Sequence, residues 1–424
     1  MDRNSFTYNN YIKILERELI PAMGCTEPIA IAYCSAKARA VLGMLPDKIK
    51  VEASGNIIKN VKSVVIPNTG GRRGIAAAAA IGALAGDETK GLEVISKISD
   101  DSKTKLGEYL TETEITTLPA DSDYALDIRV SAYKDKSSAI VRTVNEHTNI
   151  VYVEKDGVIL EQKDISDIND TDCPDYTLLS MEGIYDFAET AFIEDICHVL
   201  DRQIALNTAI SEEGMTKNYG ANIGKVLLKA YGNDIKTRAR AVAAAGSDAR
   251  MNGCELAVVI NSGSGNQGMT ASLPVIEYAK ELKTDREKLY RALLISNLVT
   301  LHQKTGIGRL SAYCGAVSAG AGAGAGIAYL CGGDYETIIH TVVNALAITS
   351  GIICDGAKSS CAAKISTSVE AGIMGYEMYR NGQQFYGGDG VILKGVENTI
   401  KNIGRLARVG MYGTDREIIR IMTE

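Results

Sequence analysis

The strongest constraint on the fold is a long uncharged stretch, from Leu310 to Gly333, that consists mostly of Ala, Gly and Ser. It is long enough to span a bilayer, but it lacks the Leu- and Phe-rich segments and the aromatic belt of membrane helices. Its small side chains instead let neighbouring helices approach closely. We therefore predict that this stretch forms a buried central helix in a protein without a membrane segment.

The composition is that of a globular protein with a large core. Of the 424 residues, 46% are hydrophobic and 23% are charged, which excludes global disorder. The net charge of −7, with no basic run longer than Arg72 and Arg73, argues against nucleic acid as a partner. The N-terminus lacks the apolar region of a signal peptide, so we expect a cytoplasmic location. In that reducing compartment, the nine cysteines are expected to be core residues, metal ligands or nucleophiles.

The pattern of the chain changes twice. Helical signals occupy residues 1–45, strands and helices mix between 46 and 175, and residues 176–424 show almost only the helical period. We predict an α+β fold: the N-terminal helices and the C-terminal region form a mostly helical body, and residues 46–175 form an inserted α/β domain that ends in an acidic linker. Both N-terminal helices are expected to pack on the helical body, because it offers the larger apolar surface.

The period-2 alternation places the strands of the inserted domain. It predicts strands at 49–53, 61–66, 127–133, 138–145, 150–154 and 158–161. In the C-terminal region the first helical period runs without a break from 184 to 210.

Three cysteines form the strongest chemical pattern. Cys354 and Cys361 flank the segment CDGAKSSC, and Cys314 precedes the Gly-rich stretch. On one continuous helix the first two would be about 10.5 Å apart in rise, but Asp355 and Gly356 break the helix. The loop can then turn both thiols toward one point, near the amides at the start of the next helix. Three thiolates suit zinc or an iron–sulfur cluster, and three buried core cysteines are the alternative.

A fourth cysteine, Cys25, stands just before a predicted helix. Thr26 is the predicted N-cap of that helix, with Glu27 in its first turn. The helix dipole would stabilise a Cys25 thiolate and lower the pKa of the thiol, which suits a base or nucleophile. The alternative is a small residue in a tight turn.

The loop from Asn261 to Gly268 is a candidate anion site. It follows an apolar run and consists of Gly, Ser, Asn and Gln, whose amides and hydroxyls can hold a substrate carboxylate. The predicted substrate-binding residues are Asn261, Ser262, Gly263, Ser264, Asn266 and Gln267. The preceding segment SDARMN, residues 247–252, either adds polar groups to this site or is a solvated helix end.

Four motifs together resemble the L-cysteine desulfidase family, which is related to the catalytic alpha part of iron–sulfur L-serine dehydratases. They are PAMGCTEP (21–28), SDARMNGC (247–254), NSGSGNQG (261–268) and CDGAKSSC (354–361). The resemblance covers essentially the whole chain. It implies a [4Fe–4S] cluster on Cys314, Cys354 and Cys361, with Cys254 and Cys331 as alternatives for the third ligand, and Cys25 as the base.

The function implied by the resemblance is β-elimination of a small L-amino acid. L-Cysteine would give pyruvate, ammonia and sulfide, and L-serine dehydration is the alternative. Two rivals come from other classes: a pyridoxal-phosphate β-eliminating enzyme, because the 261–268 loop resembles the anion loop of some of those enzymes, and a non-catalytic amino-acid sensor. Because the related enzymes assemble from two parts, we also expect a homodimer.

Overall fold

The computed structural model describes residues 1–165 and 173–424 of the chain. Its helices are α1 (Phe6–Glu18), α2 (Thr26–Leu42), α3 (Gly55–Val61), α4 (Gly74–Ala85), α5 (Asp100–Glu112), α6 (Met181–Thr190), α7 (Cys197–Thr216), α8 (Ile223–Tyr231), α9 (Ile235–Met251), α10 (Gly265–Leu282), α11 (Arg286–Ile307), α12 (Gly315–Leu330), α13 (Tyr335–Thr349), α14 (Cys361–Arg380), α15 (Val396–Arg405) and α16 (Tyr412–Thr423). Its strands are β1 (Pro21–Met23), β2 (Lys48–Ala53), β3 (Glu114–Pro119), β4 (Asp127–Lys134), β5 (Ser137–Val144), β6 (Ile150–Lys155), β7 (Val158–Gln162) and β8 (Ala257–Val259). Short 3₁₀ segments occur between some of these elements.

Six strands form one mixed sheet in the order β3-β2-β4-β5-β6-β7. Only the β2–β3 pair is parallel. The register aligns a row of buried valines across four strands: Val51, Val130, Val141 and Val153. Helix α2 packs on β4 and β5 and against α4, so this row forms the core between the sheet and its helices.

The mostly helical architecture with a sheet near the N-terminal half confirms the predicted fold class. Of the two N-terminal helices, one packs as predicted and the other does not. Tyr8 and Tyr11 of α1 contact Phe187 of the helical body, but α2 lies on the sheet, so the expectation for the second helix is wrong. The sheet offers α2 a continuous apolar face that the sequence pattern did not reveal. The division into domains 1–45 with 176–424, and 46–175, stays a prediction.

Helix α12 is the centre of the helical body. Every residue from 316 to 328 is buried, and the helix packs against α10, α11, α13 and α14. Glycines allow this contact: a Cβ on Gly320 would lie 2.3 Å from the carbonyl oxygen of Ser368 on α14. The prediction of a buried central helix is confirmed. Among the described residues, no helix combines the length and apolar character needed to cross a bilayer.

Two local predictions are wrong. Residues 61–66 are not a strand, because Val61 ends the short helix α3 and Val65 pairs with Arg73 and Asn252 in isolated bridges. The period from 184 to 210 is not one helix, because α6 ends at Thr190 and α7 begins at Cys197. A 3₁₀ turn at Ile193–Asp195 separates the two helices.

The small strand pair β1–β8 connects the N-terminal segment to the helical body. Pro21 is opposite Val259 and Met23 is opposite Ala257. The segment that carries Cys25 follows β1, and the 261–268 loop follows β8. The hydroxyl of Thr26 then donates a hydrogen bond of 2.9 Å to the carbonyl of Gly263. Two motifs that are far apart in sequence are therefore neighbours in the fold.

Candidate active site

One cavity is lined by all four cysteines that the sequence singled out: Cys25, Cys314, Cys354 and Cys361. They come from four separate segments, namely the turn before α2, the residue before α12, the loop after α13 and the first residue of α14. The alternatives for the third ligand do not line this cavity: Cys254 is buried elsewhere and Cys331 is exposed at the end of α12.

Backbone pairing places Cys314 and Cys354 on the same face of an isolated β-bridge. Tyr313 and Ile353 form an antiparallel bridge. The amide of Cys314 donates to Ile352, and the amide of Cys354 donates to Ala312. The two cysteines are therefore diagonal neighbours across the bridge, a position in which β-carbons are roughly 7 Å apart.

The loop that leads to Cys361 is tightly held. Gly356 has a φ of +93°, and a Cβ there would lie 2.3 Å from the carbonyl oxygen of Lys59, so only glycine fits. Asp355 accepts hydrogen bonds from Lys358 and Lys364. Although burial opposes ionisation, these two ammonium groups hold the pKa of Asp355 down at about 2. Asp355 thus links the loop, through Lys358, to helix α14, through Lys364, and one ammonium charge of this group is not offset.

The three cysteines are not arranged to bind a single metal ion. Within residues 1–165 and 173–424, no three His, Cys, Asp or Glu side chains are placed to hold one ion. A cubane differs, because each thiolate binds a different iron. Burial and the neighbouring Cys354 raise the pKa of Cys314 to about 12, and burial raises the pKa of Cys361. These thiols would lose their protons on binding iron. Three thiols from three segments therefore line one cavity, and thiolates are the ligands that iron–sulfur clusters use in proteins.

Cys25 differs from its prediction in two respects. It is itself the N-cap residue of α2, while the hydroxyl of Thr26 bonds to Gly263 instead of capping the helix. Its thiol donates a hydrogen bond of 3.0 Å to the Glu27 carboxylate. Burial and the Glu27 charge raise the pKa of Cys25 well above its ordinary value, so the predicted lowering by the helix dipole is wrong. The site therefore contains a thiol paired with a carboxylate.

The 261–268 loop divides into a supporting half and a half that borders the cavity. Asn261 donates to Asn297, Ser262 donates to Asn261, and Gly263 receives the bond from Thr26, so these three hold the loop in place. Ser264, Asn266 and Gln267 line the cavity. The oxygen Oε1 of Gln267 is buried without a hydrogen-bond partner.

Three basic residues of the cavity wall were not assigned a role from the sequence. They are Arg250, Lys304 and Arg309. Arg309 is paired with Glu18 at 2.8 Å and with Glu146 at 3.3 Å. Burial lowers the pKa of Lys304 to about 8. The sequence did contain a signal for a role of Lys304, because this charged residue interrupts a long apolar stretch just before two glycines. It contained no such signal for Arg309, because the partners of Arg309 are remote in the chain.

A family model matches most of the chain, and relatives match nearly all of it. A family model described as serine dehydratase alpha chain matches residues 89–420. A UPF0597 protein of Desulfitobacterium hafniense is 58% identical over 422 residues, which cover 100% of this chain and 98% of that protein. UPF0597 proteins of Lachnoclostridium phytofermentans and Treponema denticola are 51% and 44% identical, over 98% and 100% of this chain and 99% of each relative.

Proposed function

The chain belongs to the serine dehydratase alpha chain family, and from this premise we propose that it is an iron–sulfur lyase that removes the β-substituent of L-cysteine. The observation that carries the proposal is the single cavity shared by three cysteine thiols, the Cys25–Glu27 pair and the polar half of the 261–268 loop. Membership in the family supports amino-acid β-elimination in general, and the substrate and the site residues are our proposal.

We propose that Cys314, Cys354 and Cys361 hold a [4Fe–4S] cluster. When bound, the cluster supplies a Lewis acid that stabilises the negative charge on the departing sulfur or oxygen. The surrounding chain suits this role, because Lys304 borders the same cavity and interacts with Cys354 and Cys314, so that its charge offsets that of thiolate ligands.

The remaining residues bind the amino acid and move its α-proton. Ser264, Asn266 and Gln267 hold the substrate carboxylate and fix the direction of the α-proton. Cys25 removes that proton after passing its own thiol proton to Glu27, which already accepts its hydrogen bond. Loss of the β-substituent then gives aminoacrylate, which water hydrolyses to pyruvate and ammonia.

The nature of the leaving group distinguishes the two substrates. L-Cysteine releases sulfide and L-serine releases water, while the rest of the molecule is identical. We propose L-cysteine as the substrate, with L-serine as the alternative.

An anaerobic assay with both amino acids tests the proposal. Protein reconstituted with iron and sulfide should form pyruvate and sulfide from L-cysteine, and Cys354→Ser should lose both the iron and the activity. Cys331→Ser, which changes an exposed thiol outside the cavity, is the matched control and should retain both. A brown colour that bleaches in air supports the cluster, whereas a stable yellow colour favours pyridoxal phosphate. Absence of turnover with full iron content contradicts the lyase and favours an amino-acid sensor.

We also propose that the protein is a homodimer. Sedimentation at several concentrations tests this, and a monomer at all concentrations contradicts it.

A further inference from the structure

The most unusual group in the cavity wall is the guanidinium of Arg250. The residue is only 2% exposed, on the last turn of α9. The nitrogen Nη1 donates to Asn266 at 3.2 Å, but Nε and Nη2 are buried without any hydrogen-bond partner. A buried charge without a partner destabilises the folded chain, so we expect an anion to bind this guanidinium.

The two unpartnered nitrogens identify the kind of anion. Nε and Nη2 lie on one edge of the guanidinium, and this edge presents the two parallel N–H groups that bind a carboxylate in bidentate fashion. The third nitrogen is already held by Asn266, so the bound geometry is fixed before a ligand arrives.

The other cations of the cavity wall are not available for this role. Arg309 is neutralised by Glu18 and Glu146, and Lys304 presents a single ammonium, not a fork. The loop residue Gly265 supports the same assignment, because a Cβ there would lie 2.4 Å from Nε of Arg250. Glycine at 265 keeps that edge of the guanidinium uncrowded.

We propose that Arg250 is the residue that selects substrates with a free α-carboxylate, through a bidentate pair on Nε and Nη2. This inference rests on the proposed function and adds a specificity residue from α9 to the loop residues assigned above. Amino acids whose carboxylate is converted to an amide would lose this pair and should be rejected.

Binding of L-alanine tests the inference without any reaction, because alanine has no β-leaving group. Titration calorimetry on the purified full chain, before and after cluster reconstitution, should show that L-alanine binds and that L-alaninamide binds much more weakly. Arg250→Gln should weaken L-alanine binding by about 10- to 100-fold, as expected for lost hydrogen bonds to a charged group. Its affinity for the amide should not change.

Two further variants keep the test interpretable. Arg250→Lys retains the charge but not the fork, and should bind L-alanine more tightly than Arg250→Gln but less tightly than the parent chain. Arg240→Gln removes the same charge from the same helix, where the guanidinium is paired with Glu370 at 2.6 Å outside this cavity. It should bind L-alanine as the parent chain does.

The results separate this inference from the proposed reaction. Equal L-alanine binding by the parent chain and Arg250→Gln overturns the inference. If Arg250→Gln has also lost its iron, the guanidinium stabilises the cluster instead. Cysteine turnover that is unaffected by Arg250→Gln overturns the inference and leaves the lyase standing. Arg250-dependent binding of L-alanine without any turnover supports the inference and contradicts the lyase.

Discussion

At the residue scale, the central feature is the buried thiol of Cys25, for which we propose a proton transfer to the neighbouring Glu27 carboxylate. Cys25 is buried and donates to Glu27, and both burial and the Glu27 charge raise the pKa of the thiol. A lone buried cysteine would be inert. The adjacent carboxylate changes this, because it offers the thiol proton a place to go within one hydrogen bond.

Cys25→Ser should therefore keep the iron and the binding of L-alanine but lose about 10²- to 10⁴-fold in rate, the contribution of a positioned base. The measurement is kcat for sulfide release from L-cysteine, with iron content determined in parallel. Cys34→Ser is the matched control, since Cys34 is buried on the same helix and bonds to Thr143 of the sheet; its rate should not change. Loss of iron in Cys25→Ser would make Cys25 a ligand instead.

At the scale of elements, the cysteines depend on how closely helices α12 and α14 approach. Cys314 precedes α12 and Cys361 begins α14. Gly320 and Gly372 face each other across this contact, where an added Cβ would meet backbone atoms at 2.3 Å and 2.2 Å. Backbone cannot move aside as a flexible side chain can, so the helices would have to separate.

Gly320→Ala should lower the free energy of unfolding by about 1–3 kcal/mol, the usual cost of overpacking, and should reduce the iron content. Denaturant unfolding and iron analysis measure the two effects. Gly413→Ala is the control, because its added Cβ meets nothing within 4 Å in α16 and should not destabilise the protein. Full stability together with full iron content in Gly320→Ala would show that helix spacing does not set the cysteine positions.

The C-terminal helix α16 reaches the cysteine loop through a buried ion pair. The ammonium of Lys59, which is 1% exposed, lies 2.6 Å from Asp415 of α16 and 3.3 Å from the carbonyl of Cys354. Asn56 also donates to Asp415 at 2.8 Å. Asp415 thus fixes a lysine that in turn contacts the loop.

Asp415→Ala should cost about 3–5 kcal/mol of unfolding free energy, because Lys59 would remain buried without a counter-charge. It should also speed the alkylation of Cys354, measured by peptide mass spectrometry, since the loop loses a support. Glu417→Gln removes an exposed charge from the same helix and should cost at most about 1 kcal/mol. An unchanged alkylation rate in Asp415→Ala would contradict the coupling between α16 and the loop.

Elements with a clear apolar period could be predicted from the sequence, and the others could not. The predicted bounds of strands β4 to β7 each lie within one residue of the observed ones. Strand β3 was missed because it is an edge strand whose residues are all exposed or half-buried. Helix α3 has only seven residues, too few to show a period.

At the scale of the whole molecule, the parts of the site meet through contacts that no local pattern encodes. The local sequence pattern made the three cysteines and Cys25 candidates, since each stands at a helix start or in a loop, and the family resemblance implied their roles. Arg250 was within a quoted motif, but its unpaired edge is visible only in the folded chain. Likewise Arg309 depends on Glu18 of α1 and on Glu146 of the β5–β6 connection.

The ion pairs of Arg309 with Glu18 and Glu146 join three parts of the molecule beside the cavity. Glu146 accepts bonds from Arg309 and, at 3.0 Å, from Arg17. Burial opposes ionisation of Glu146, but the two guanidinium groups outweigh this effect and hold the pKa of Glu146 below its ordinary value. A carboxylate with a lowered pKa contributes stability above the pKa of the unfolded chain, about 4.3, and this contribution is lost as the pH falls through the folded value.

Glu146→Gln should therefore lower the free energy of unfolding by about 1–2 kcal/mol at pH 7, and the difference from the parent chain should shrink at pH 4. Denaturant unfolding at both pH values measures this. Glu161→Gln is the matched control, since Glu161 lies on β7 of the same sheet in an exposed pair with Lys163, and it should cost little at either pH. Because the neighbouring His147 packs against Gly263 of the substrate loop, Glu146→Gln should also raise KM more than it lowers kcat. A pH-independent penalty would mean that the side chain acts by packing and not by its charge.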